Sequence, residues 1–124
     1  MVERKLLSDE HAVFALQHHE FPDEVIACAP SVAVILTQSW CPQWHAMRTW
    51  LTELERERPL DREQPIVLWE LEYDLKSFFR PFLQMKEAVW QNRLVPYVRY
   101  YRRGQLYDTS NYLPRERFLR KFPL

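Results

Sequence analysis

Cysteine is scarce in this chain, glycine occurs once, and long apolar runs are missing. Cys28 and Cys41 are too few for a disulfide scaffold or a cysteine-rich zinc site. His11, His18 and His19 do not stand at metal-ligand spacing from either cysteine, so no metal or other cofactor is expected. What remains open to the cysteines is reactive-thiol chemistry. No apolar run is longer than Val32 to Leu36, far too short to span a membrane. Val2 is followed by Glu3, Arg4 and Lys5, without the apolar stretch of a secretory signal. These absences predict a soluble cytoplasmic protein with no membrane partner. Internal repeats and low-complexity segments are also lacking. The lone glycine, Gly104, lies between two strand-like runs and is expected at positive φ in a turn.

What is present is globular. Apolar residues make up 47% of the 124-residue chain and aromatics 15%, enough for a real core in one domain spanning 1–124. The net charge is zero but uneven: residues 1–74 carry 6 basic and 14 acidic groups, residues 75–124 carry 11 and 3. Opposite halves can attract each other within one fold or across a homodimer. A zero total gives no net pull on phosphate, which argues against nucleic acid.

Hydrophobic periodicity orders the elements. Ser8-Asp9-Glu10 opens a helix that runs to about His19 and is ended by Phe21-Pro22. Residues 22–30 read equally as a short helix or a loop. Ser31–Gln38 is a strand covered on both faces. Pro42 starts a helix with Met47, Trp50, Leu51 and Leu54 on one stripe, ending near Arg58. A polar connection, Pro59–Pro65, leads to a strand over Ile66–Tyr73. Residues 75–93 read as helical, with a second segment from Pro81 and an inner stripe of Phe82, Met85 and Val89. Tyr97–Arg102 and Leu106–Thr109 form a hairpin around Arg103-Gly104. Pro114 starts a last helix with Phe118, Leu119 and Phe122 inward. The order is α, β, α, β, α, β, β, α.

Two segments in that order resemble the thioredoxin family. Ser39-Trp40-Cys41-Pro42-Gln43-Trp44 stands at the place of that family's Trp-Cys-Gly-Pro-Cys. Val95-Pro96-Tyr97, running on to Arg102-Arg103-Gly104-Gln105, resembles the signature in which a cis-proline opens a strand and a glycine turn closes it. Asp74 resembles the acid that ends the preceding strand. The similarity covers about residues 31–122, more weakly the first helix. It implies an α/β thioredoxin-like fold: a central mixed sheet with a parallel βαβ unit, a C-terminal antiparallel hairpin, and helices on both faces. It further implies a catalytic Cys41 and a partner groove of Trp40, Pro42, Gln43, Trp44, Val95, Pro96 and Tyr112, acting on protein thiols or disulfides. The Val95–Pro96 bond should be cis, beside Cys41. The departures are as specific. Trp44 stands where the family has its second cysteine, Ile35 where it has a buried acid, and Tyr112 where it has a groove glycine. The stretch from Asp74 to Pro96 is longer.

A thiol at a helix N-terminus is favoured as thiolate, and His45 lies one turn on. The functional reading is a monothiol disulfide oxidoreductase or redox-linked factor. The alternative is a non-catalytic interaction protein with an aromatic surface around Cys41. Trp40, Trp44, Tyr97 and Tyr112 either collar Cys41, or Trp44 turns inward as core. The aromatic-basic run Tyr97, Arg99, Tyr100, Tyr101, Arg102, Arg103 lacks the glycines and element order of an RNA-binding sheet. Arg99, in a central strand, needs an acid, and Glu70 or Glu72 is the expected one. Cys28 and Cys41 flank a strand and are expected not to pair.

Overall fold

The apolar run Val32–Leu36 becomes the middle of a five-stranded sheet. The computed structural model describes residues 2–57 and 65–122. Its elements are β1 (Val2–Leu6), α1 (Asp9–His18), α2 (Asp23–Ile26), β2 (Ser31–Thr37), α3 (Pro42–Arg56), β3 (Ile66–Glu72), a 3-10 turn (Tyr73–Leu75), α4 (Phe79–Ala88), β4 (Tyr97–Arg102), β5 (Gln105–Ser110) and α5 (Arg115–Leu119). The sheet order is β1-β3-β2-β4-β5. β1, β3 and β2 are parallel, whereas β4 and β5 run antiparallel to their neighbours.

Strand alternation divides the interior into two cores. Val32, Val34 and Leu36 face α1, α2 and α4, together with Trp69, Tyr97 and Tyr101. Ala33 and Ile35 face α3 and α5, together with Leu68, Val98 and Tyr100. Ile35 thus sits fully buried among apolar side chains, on the Cys41 side of the sheet.

Local chemistry fixes the element ends. Ser8 caps α1 by accepting from the His11 amide at 3.1 Å, while His11 Nδ1 accepts from the Ser8 amide at 3.1 Å. Pro42 is the first residue of α3, where a missing N–H costs nothing. Arg103 and Gly104 both have positive φ, 50° and 78°, in the two-residue turn between β4 and β5. A side chain at Gly104 would also meet Ala27 Cβ at 3.1 Å.

Three expectations need correction. The order begins with a strand: β1 pairs with β3 along the sheet edge. The 75–93 helix is shorter, Phe79–Ala88, with Pro81 inside its first turn, where the backbone N–H has no intrahelical partner. Val89 lies just past the end of α4 and is 44% exposed, so the inner stripe is Phe82 and Met85. The segment 22–30, open between helix and loop, holds the short helix α2. α3 ends at Arg56, close to the expected end near Arg58, and the connection Pro59–Pro65 lies outside the described residues, apart from Pro65.

Candidate functional site

Cys41 is the N-cap residue of α3, at the turn where β2 hands over to the helix. Two braces hold that turn. Asp74 accepts from the Ser39 amide at 2.8 Å and the Ser39 hydroxyl at 2.6 Å. Trp40 Nε1 donates to Gln38 Oε1 at 2.6 Å, and Gln38 Nε2 donates to the Tyr73 hydroxyl at 3.2 Å. Burial holds the Tyr73 hydroxyl above its ordinary pKa, so it stays neutral in this brace. His45 Nε2 lies 2.6 Å from the Ser39 carbonyl, to which it donates. His45 therefore belongs to the turn, and its ring nitrogen is engaged there.

The opposite wall is the segment before β4. Its Val95–Pro96 peptide is cis, and the Cys41 thiol donates to the Val95 carbonyl at 3.6 Å. Val95 packs against both cores, and Pro96 is buried. Cys41 itself is only 4% exposed. Large apolar side chains stand free on either side of this contact: Trp40 is 61% exposed, and Leu94 is also exposed. Pro42 and Gln43 are exposed on the first turn of α3. Tyr112 is half-buried against the α3/α5 core.

The aromatic collar is smaller than the sequence suggests. Trp44 turns inward, 1% exposed, with Nε1 donating to Glu72 Oε2 at 2.8 Å. Arg48 adds a contact to the same carboxylate at 3.5 Å. Tyr97 points to the other face of the sheet, because it alternates with Val98. A cleft of about 360 Å³ opens beside Trp44, lined by Leu6, Arg48, Glu72, Leu75 and Lys76 among others, and does not reach Cys41.

Arg99 also departs from expectation. Its strand partner Val34 faces α1 and α4, whereas Glu70, opposite Ile35, faces α3. Arg99 instead pairs with Glu20 at 2.9 Å, accompanied by the hydroxyls of Tyr101 and Tyr97 and the Trp90 ring, 4.3 Å away. Burial pulls the Arg99 pKa down, but Tyr101 and Glu20 outweigh it and hold the guanidinium charged. Glu70 is taken by Arg4, Nε to Oε2 at 2.5 Å.

Both cysteines are free. Cys28 is exposed before β2, and Cys41 is buried beyond its other end. Among the described residues no group of three His, Cys, Asp or Glu side chains could hold a metal, and no helix is long and apolar enough to cross a membrane. Sequence reading missed Lys86 and Asn111, which brace the Val95 wall from behind. A lysine four residues after Phe82, on an apolar helix stripe, was the available signal.

This architecture, with a cysteine capping the helix after the central strand and a cis-proline facing it, is the thioredoxin fold. The structure is similar to thioredoxin O1 from Arabidopsis thaliana in its oxidised state, with a TM-score of 0.64, 12% identity, and 96% of this chain and 94% of that chain covered. It is likewise similar to a mutant thioredoxin from Halobacterium salinarum, with a TM-score of 0.61 and 14% identity over 96% of this chain and 86% of that one. The thioredoxin of Malassezia sympodialis gives 0.62 and 14%, over 96% and 87%. No family model matches the chain, and no curated protein matches it.

Proposed function

We propose that this protein is one thioredoxin-like domain over residues 1–124, acting in the cytoplasm as a monothiol oxidoreductase or redox-linked factor on protein thiols and disulfides. The observation that carries this reading is Cys41 at the N-cap of α3, its Sγ 3.6 Å from the Val95 carbonyl before Pro96. The Cys41 thiolate would attack one sulfur of a partner disulfide, forming a mixed disulfide and releasing the other sulfur as thiolate. With Trp44 in the place of a second thiol, the mixed disulfide would persist until a small external thiol attacks it and restores Cys41. Trp40, Pro42, Gln43, Val95, Pro96 and Tyr112 would contact the partner, whereas buried Trp44 would support the groove from inside.

Treating a Cys28→Ser protein with oxidised glutathione tests this. Mass spectrometry should find one adduct, on Cys41, reversed by dithiothreitol and absent when Cys41 is also serine. Insulin reduction with a thioredoxin reductase should stay near background, because Trp44 and Tyr112 replace the resolving thiol and the small groove residue. Turnover like that of a dithiol thioredoxin would overturn the monothiol reading.

The burial of Cys41 favours a second reading, a non-catalytic interaction protein that uses exposed Trp40 and Leu94. Absence of a native Cys41 adduct, with one appearing only in denaturant, would select it.

A further inference from the structure

Lys86 is 0% exposed, a rare state for a lysine. It sits on α4 below the loop that leads to Val95. Its Nζ donates to the Leu94 carbonyl at 2.8 Å, the Asn92 carbonyl at 2.9 Å and Asn92 Oδ1 at 3.4 Å. The Tyr97 ring lies beneath the ammonium group, 5.6 Å from its centroid. Among the described residues no carboxylate pairs with it directly, and loop oxygens replace its lost hydration.

The same loop is gripped from the other side. Asn111, just after β5, exchanges amide hydrogen bonds with Asn92 at 2.9 and 3.1 Å and donates to the Pro96 carbonyl at 3.0 Å. Residues 92–96 are thus pinned at Asn92, Leu94 and Pro96. Val95, between two pinned carbonyls, presents its own carbonyl to Cys41.

The geometry points to Lys86 as a positioning residue for the groove, its ammonium group filling a cradle of loop oxygens and so fixing the Val95 carbonyl against the Cys41 thiol. This rests on the proposed reading only in treating the Val95 wall as the face a partner meets. Loss of the ammonium takes a donor from three oxygens: Asn92 Oδ1 and the Leu94 carbonyl keep Asn111 Nδ2, at 2.9 and 3.3 Å, but the part-buried Asn92 carbonyl loses its donor, and the loop must open to hydrate it. Cys41 then loses both its acceptor and its cover.

Iodoacetamide alkylation near neutral pH, followed separately at the two cysteines, tests this. In Lys86→Met, Cys41 should react about tenfold faster, while exposed Cys28 keeps its rate. In Lys86→Ala, n-propylammonium, which replaces the missing atoms, should slow Cys41 again, whereas n-propanol should not. A Cys41 rate within about twofold of the parent, or equal acceleration of both thiols, would overturn the assignment and leave Lys86 a merely structural group. If Lys86→Met does not fold, Asn111→Ala loosens the same cradle from its surface side and decides by the same rates. Alkylation requires no turnover. A failed glutathione reaction with the rate change intact would overturn the oxidoreductase reading alone.

Discussion

Trp44 shows how one side chain changes what a familiar turn can do. The second thiol of a dithiol site would lie one helical turn after Cys41, and the residue there is an indole buried in the α3/α5 core, its nitrogen on Glu72. Trp44→Cys would therefore not simply restore a dithiol. It should lower the unfolding free energy by about 3 kcal/mol, as large-to-small core changes do. Urea unfolding checks this, and a variant as stable as the parent would mean that the indole is not a packing element. The inward turn of Trp44 was only half legible: its spacing from Met47 and Leu51 places it on the buried stripe, but the first turn of a helix can as well project into solvent. Glu72 decides it, by giving the buried N–H a partner.

At the scale of elements, most of what positions Cys41 was readable, because it rests on short-range chemistry. An unbroken apolar run rich in β-branched residues, a proline able to start a helix, and a glycine between two strands each carry a local cause. β1 was not readable. Val2–Leu6 has one apolar side chain turned inward, and Arg4, the next residue on that face, carries a charge that hides the alternation. Arg4 is acceptable there because Glu70, largely buried, takes its guanidinium in two hydrogen bonds of 2.5 and 2.9 Å, and that contact raises the Arg4 pKa. The partner of Arg99 was hidden for the same reason, since face assignment depends on a register that no local window contains. The Arg4–Glu70 pair yields a prediction. Arg4→Met alone leaves a buried carboxylate and should cost about 3 kcal/mol, whereas Arg4→Met with Glu70→Leu should recover most of it. Additive losses in that cycle, measured by denaturant unfolding, would show that the pair does not hold β1 to the sheet.

Across the whole molecule, the acidic first half and basic second half meet inside one chain: Glu20 with Arg99, Asp9 with Lys76, and Glu53 and Glu57 with Arg115. Most of these contacts are at the surface and contribute little individually. The buried cation with the larger consequence is Lys86, which, among the described residues, no acid of the other half neutralises directly. Burial pushes its pKa down from 10.5 to about 8, with Glu87 opposing, and the Tyr97 ring is the aromatic group facing it. An unfolded chain would keep that proton up to about 10.5, while the folded one releases it from about 8, so the unfolded state binds more protons in this window. Stability contributed at Lys86 should therefore rise with pH between about 8 and 10.5, by on the order of 3 kcal/mol. Other titrating groups act on both proteins, so the quantity to measure is the difference in unfolding free energy between the parent and Lys86→Met at several pH values. The parent should gain on the variant as pH rises through the window. A difference that stays flat from pH 8 to 10.5 would mean that Lys86 is hydrated in the native state, and the cradle under Val95 would then have to be open.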